Sequence, residues 1–468
     1  MSVSTKFFYG IGSVAYGVKD NGFAFFLLLY YNQVLGLSAQ LTSLALFVAL
    51  IVDAISDPVV GTISDRFHSK FGRRHPFMYA SILPVSVGYF FLWNPPDLSE
   101  TGLFLYLLGF AVVIRTFITF YEVPSTALAP ELTEDYDERT SLAAVRFFFG
   151  WVGGILLSMY AYLVLLTPTA AQPVGQLNEA GYQTYGLIGA SMMALTILCS
   201  SLGTHRHIPN LKVPPPKRRR SLGETISEIR ESFDDPSFRA LFGYAIFASM
   251  SAGLVSAMNI YLNTYFWELR AGQIGYLVPA GLVSAVLALK LAPALAGRIG
   301  KKRAAIRLSI AAALFAPVPY TAGLMEWAPA KGSNELVYFL IVYSVIEIGL
   351  IIASTTLVSA MMADVVEASE LKTGRRSEGI FFAARSFLSK SLSATGLLLA
   401  TTLLWLVDFP DEAKPGQVDP QVIRNLVLGY MPSTASLYLI SVACLFGYKI
   451  TREDHSANLE ALRDRGSS

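Results

Sequence analysis

The sequence predicts an all-helical membrane protein that crosses the bilayer twelve times in two six-helix bundles. Composition, the recurrence of apolar runs and one long polar connection near the midpoint carry that prediction. Of the 468 residues 53% are hydrophobic and only 15% charged, with a mean hydropathy of +0.48, whereas soluble domains carry about 25% charged residues. Apolar runs of about 20 residues, long enough to span hydrocarbon, recur at 7–35, 40–64, 76–93, 101–129, 140–167, 180–203, 238–267, 273–296, 304–327, 336–363, 378–407 and 425–449. The connection at 204–237 splits them six and six, giving bundles over 1–203 and 238–450 and a tail over 451–468.

Each element adds a constraint. The first run contains "YGVKDNGF", and a charged pair inside it, Lys19 and Asp20, argues against a cleavable signal. The second contains "LIVDAISDPVVGTISDR", with Asp53 and Asp57 one turn apart. An ionisable residue at the centre of a membrane helix costs roughly 2.5 to 3.5 kcal/mol on insertion scales, and like charges at i, i+4 repel. The pair therefore requires a partner, a function or a position outside the bilayer. The loop after span 2 holds Arg66, Lys70, Arg73 and Arg74, and the loop after span 8 holds Arg298, Lys301, Lys302 and Arg303. Connections on the other side, "NPPDLSE" and "DFPDEAKPGQVDP", are nearly free of Lys and Arg, which orients both termini to the cytoplasm.

The connection 204–237 combines a proline run, an extended spacer, with "LGETISEIRESF", whose spacing is that of a surface amphipathic helix. Its basic run Lys217–Arg220 reads as a solvated, lipid-facing linker. A net charge of +2 implies no bulk attraction to nucleic acid. Cys199 and Cys444 fall in predicted spans and read as small core residues. There is no G-x-x-x-x-G-K-[ST] loop to support ATP-driven transport, and the five histidines are not spaced as an intramembrane metal site. The endings "DPVVGTISDRFHSKFGRR" after span 2 and "APALAGRIGKKR" after span 8 echo each other, as parallel six-span repeats would.

"GTISDRFHSKFGRR" resembles the loop signature of the major facilitator superfamily. In that reading Gly61 lets helices approach, and Asp65 at a helix end pairs with Arg66, Arg73 or Arg74. Together with "DAISDP", "YEVPSTALAPELTEDYDERTSL", "RFFFG" and "ADVVEASELKTGRRSEG", it resembles the glycoside-pentoside-hexuronide:cation symporters, the melibiose permease-like family, over nearly the whole chain. The resemblance implies a major facilitator fold and a monomeric carrier, not an enzyme, in a bacterial inner membrane. No cofactor is implied. Its partners would be the bilayer, a small-molecule substrate and a coupling cation.

The resemblance also assigns residues. Asp53, Asp57 and a carboxylate in span 4, here Glu122 with Thr119 one turn before it, form the coupling-cation site. Carboxylates gathered in a low-dielectric cavity either bind Na⁺, which prefers oxygen ligands, or one takes up a proton. Both stay open. Lys19, Asp20 and Arg146 stand where the family contacts sugar hydroxyls, a task suited to groups that make two directional bonds at once. Lys390, with Ser386 a turn earlier, stands where the family has a pocket lysine.

Two departures bear on the substrate. Thr126 and Thr355 stand where the family's sugar carriers have stacking tryptophans, which argues against a neutral galactoside. Arg115 and Arg385 are additional mid-span cations, either counter-ions to Glu347 or the aspartates, or contacts for an anionic substrate such as a hexuronide. Lys290 is expected to snorkel to the interface. The expected function is alternating-access symport of a sugar derivative with Na⁺ or H⁺; another organic anion or a lysolipid is the alternative. Gly61, Asp65, Arg66, Arg73 and Arg303 are expected to form the conformational gate. An intramembrane enzyme is the remote rival, since paired aspartates also hydrolyse bonds.

Overall fold

The computed structural model describes residues 1–133, 135–170, 172–211, 233–373, 378–451 and 453–454, with side chains omitted at 136, 210, 369, 370, 372, 373 and 378–390. Its regular elements are all helical. Among the described residues ten helices are long and apolar enough to cross a membrane: Ala39–Arg66, His75–Leu92, Glu100–Leu132, Asp137–Leu165, Glu179–His205, Pro236–Phe266, Ala271–Ile299, Lys301–Leu324, Asn334–Ala368 and Pro420–Leu445. The remaining two of the twelve expected passes are the segmented stretch from residue 3 to residue 34 and Glu378–Leu406. Lys217–Arg220 and the amphipathic stretch after it lie outside the described residues.

The first pass is segmented. Val3–Ile11 and Ser13–Asn21 meet at Gly12, and two π segments follow, Gly22–Phe26 and Tyr30–Val34. Inserted π turns disrupt the i→i−4 ladder and often mark functional sites. The seventh pass repeats the device. Leu35 and Leu37 donate backbone hydrogen bonds to Tyr30 and Tyr31, and Trp267 and Leu269 donate in the same register to Leu262 and Asn263. The turn residue has positive φ in both places, 73° at Gly36 and 53° at Glu268. A duplicated six-helix unit accounts for this match.

Glycines join helices at equivalent crossings. A Cβ on Gly17 would lie 1.8 Å from the Gly150 carbonyl oxygen, and one on Gly396 would lie 2.1 Å from that of Met250. Small residues permit such close approach between membrane helices. Gly61 is less demanding, since a Cβ there would meet only Val123 Cγ1 at 3.4 Å. Cys199 is exposed and Cys444 half-buried, so the expectation that both are core residues fails for Cys199, which sits on an outward face of its helix.

The chain folds into two compact units that do not follow the six-and-six division of the sequence. One comprises Met1–Pro216 with Ser256–Val278 and Leu397–Ile423, the other Lys217–Val255, Pro279–Gly396 and Arg424–Ser468. Within the first, amide side chains in the second π segment bind the later segments. Asn32 accepts from the Tyr261 phenol (2.7 Å) and donates to Asp411 (2.6 Å). Gln33 accepts from the Ala413 N–H (2.6 Å) and donates to the Pro410 carbonyl (3.2 Å). The hydroxyl of Thr401 donates to that of Ser43 at 2.8 Å. The second unit has an apolar core around Leu241, Leu308, Leu357 and Met361. Beside it lies a cavity of roughly 230 Å³ lined by Tyr244, Ser354, Thr355 and Tyr438 among others.

Candidate functional site

The site is built inside the first unit by the first, second, fourth and fifth passes. Ala39–Arg66 brings Asp53, 1% exposed, and the half-buried Asp57 onto one face. Pro58 follows immediately and removes the N–H that would have bonded the Ala54 carbonyl. Glu100–Leu132 places Thr119 opposite the two aspartates. Its hydroxyl lies 2.9 Å from Asp57 Oδ1, 3.3 Å from Asp53 Oδ1 and 3.1 Å from the Arg115 carbonyl oxygen, with the Ser56 hydroxyl at 3.5 Å. A hydroxyl carries one proton. It donates to one of those acceptors, and the Ser56 hydroxyl, which also reaches the Asp53 carbonyl oxygen at 3.0 Å, carries a proton of its own. Two carboxylates and two hydroxyls gathered in this way offer the oxygen ligands that a hard cation prefers.

Glu122 is the third carboxylate expected at the cation site; among the described residues no three Asp, Glu, His or Cys side chains form by themselves a group that could hold a metal ion. One turn from Thr119, Glu122 lies within electrostatic reach of Tyr16 and Arg146. Arg146 donates to the Ser125 hydroxyl (2.8 Å) and to the backbone carbonyl of Glu122 (3.2 Å), and lies within electrostatic reach of the Tyr9 phenol.

The first pass supplies the neighbouring charges. Lys19, 2% exposed, pairs with Asp20 at 2.6 Å, and its ammonium also lies 4.8 Å from the centre of the Tyr16 ring. The Tyr16 phenol lies within electrostatic reach of Asp20, Glu122 and Asp53, which puts it among the carboxylates. Nothing in the sequence singled out Tyr16 except its place one turn before Asp20. Gly22–Phe26, the π segment that follows, begins two residues after Asp20. Arg115 is buried, pairs with Asp53 at 3.4 Å and lies over the Phe23 ring at 4.7 Å. Of the counter-ions expected for it, the one it meets is Asp53 and not Glu347. The side chains of Arg385, Ser386 and Lys390 lie outside those described. Lys290 is exposed. Thr126 is exposed and returns its hydroxyl to the Glu122 carbonyl, while Thr355 lines the cavity of the second unit.

The expected gate residues divide. Arg74 pairs with Asp65 at 2.5 Å and with Glu131 at 3.1 Å, and Arg73 pairs with Glu131 at 3.0 Å. Arg66 and Arg303 are exposed, and in place of Arg303 it is Lys301 that pairs with Asp364, at 2.7 Å. Glu131 and Asp364 occupy matching ends of the fourth and tenth passes. The reason is geometric: a basic side chain that opens the third or ninth pass faces the end of the neighbouring long helix. Arg66 and Arg303 instead point outward.

The sequence profile of a family described as MFS/sugar transport protein matches residues 8–452. The chain belongs to that family. An uncharacterized symporter of Synechocystis sp. is 25% identical, over 99% of this chain and 97% of its own. The sodium-dependent lysophosphatidylcholine symporter 1 of Gallus gallus is 26% identical, over 99% and 90%. The xylose transporter XylE from E. coli, partially occluded and inward open, superposes with a TM-score of 0.62 at 14% identity, covering 96% of this chain and 99% of that one. The fold is that of the major facilitators, and this member of the superfamily is a multi-pass secondary transporter, not an enzyme.

Proposed function

We propose that this transporter is a symporter that couples entry of a monovalent cation, Na⁺ in the first instance, to a small polar organic substrate of the sugar-derivative class. The observation that carries this reading is the oxygen cluster of Asp53, Asp57, Thr119 and Ser56, in which the Thr119 hydroxyl lies within 3.3 Å of both carboxylates. Lys19, Asp20, Tyr16 and Arg146 are the substrate contacts. Cation and substrate bind with mutual reinforcement, since any tightening of one by the other is reciprocal.

The protein works as a monomer in a bacterial inner membrane with both termini cytoplasmic. The family description favours a sugar derivative, and similarity to a lysophosphatidylcholine symporter makes a lysolipid the second reading. Replacing Asp57 by Asn is expected to abolish cation-driven accumulation while leaving expression intact. Concentrative uptake at the wild-type level in that variant contradicts the proposal. A thermal-shift screen against uronides, neutral glycosides, organic acids and lysolipids, with and without Na⁺, identifies the cargo.

A further inference from the structure

Arg115 is an anomaly of the site. It is 7% exposed, in mid-membrane, and its guanidinium is poorly satisfied. Among the described residues its one ion pair is long, Nη1 to Asp53 Oδ2 at 3.4 Å, and its buried Nε–H has no hydrogen-bond partner. The Phe23 ring at 4.7 Å supplies the other stabilising contact. Five N–H donors in a dry environment require more than this, because each buried unsatisfied donor carries a desolvation cost. The carboxylate it pairs with, Asp53, also stands in the oxygen cluster around Thr119.

We infer that Arg115 is an internal substitute for the coupling cation: it occupies Asp53 when Na⁺ is absent, and Na⁺ displaces it. The inference rests on the cation-site reading above and extends it. Asp53 cannot be fully neutralised by both partners, since a second positive charge a few ångströms away repels the first in a low dielectric. Binding of Na⁺ therefore loosens the guanidinium, which keeps its stem but gives up both its anion and its place over Phe23. Its donors, the orphaned Nε–H among them, then require a new acceptor in the same pocket. A substrate carboxylate or phosphate supplies one, in the planar two-bond geometry that guanidinium favours. The cation thus exposes the anion site, and the class of substrate that gains most from Na⁺ is anionic.

The test measures the Na⁺ concentration for half-maximal thermal stabilisation of purified protein, with choline as the replacement ion. Arg115→Gln removes the competitor and is expected to lower that concentration at least tenfold. Phe23→Leu, which only loosens the hold on the guanidinium and is milder for folding, is expected to lower it several-fold. Asp57→Asn is expected to remove the response. If Asp57→Asn does so while neither Arg115→Gln nor Phe23→Leu lowers the midpoint, the competition is overturned and the cation site stands. If Asp57→Asn responds to Na⁺ as the wild type does, or the wild type does not respond, the site reading fails and the inference with it.

Discussion

At Gly17 a hydrogen atom stands where any other residue would put a carbon 1.8 Å from the Gly150 carbonyl oxygen. No rotamer relieves that collision, because both partners are backbone. Gly17→Ala is therefore expected to separate the first and fifth passes and to cost about 1 to 3 kcal/mol, the usual range for overpacking. In the contrasting variant, Gly61→Ala, the new methyl meets Val123 Cγ1 at an ordinary 3.4 Å and the melting temperature stays at the wild-type value. Thermal denaturation in detergent compares the two. The sequence drew attention to Gly61, which sits in a recognisable loop signature, and not to Gly17, which sits in an unremarkable helix. Asp53, Asp57 and Thr119 were legible because carboxylates in an apolar run demand an explanation. The cation–π contact of Arg115 with Phe23 was not, because it depends on how two helices are rotated against each other.

Single helices place the gate ion pairs. Glu131 closes the fourth pass with a side chain 3% exposed, holding Arg73 and the buried Arg74. Removing one partner of a buried pair leaves the other charge uncompensated, at about 3 to 5 kcal/mol. Glu131→Gln is therefore expected to lower the melting temperature markedly. Asp364→Asn should cost less, because the Lys301 side chain is 37% exposed and its ammonium can return to water. A denaturation series on the two variants checks the ranking. The passes themselves were legible, since each has an apolar run of membrane length. Glu131 was hidden in "APELTEDYDE", where acidic residues follow one another and only the helix end distinguishes which one is buried.

For the molecule as a whole, alternating access requires the first unit to release Ser256–Val278 and Leu397–Ile423 during the cycle. The hydroxyls of Ser43 and Thr401 are 2.8 Å apart across that contact. A Ser43→Cys/Thr401→Cys pair is expected to cross-link under oxidation and to halt uptake, with recovery on reduction. The wild type, with its own two cysteines, is the control, and uptake unaffected by a verified cross-link would refute the requirement. The sequence divided the chain at its longest polar connection. It could not foretell the grouping of the compact units, because amide hydrogen bonds from Asn32 and Gln33 to Pro410, Asp411 and Ala413 leave no periodic trace.

The left-handed turn at Gly36 has a consequence for this grip. A Cβ there would stand 2.5 Å from a carboxylate oxygen of Glu412, the residue between Asp411 and Ala413. That carboxylate is the free end of an exposed side chain and can swing aside, so the demand for glycine comes from the backbone itself, whose φ of 73° disfavours any other residue. A substitution at this one position would thus strain the turn that carries the chain from Asn32 and Gln33 into the second pass.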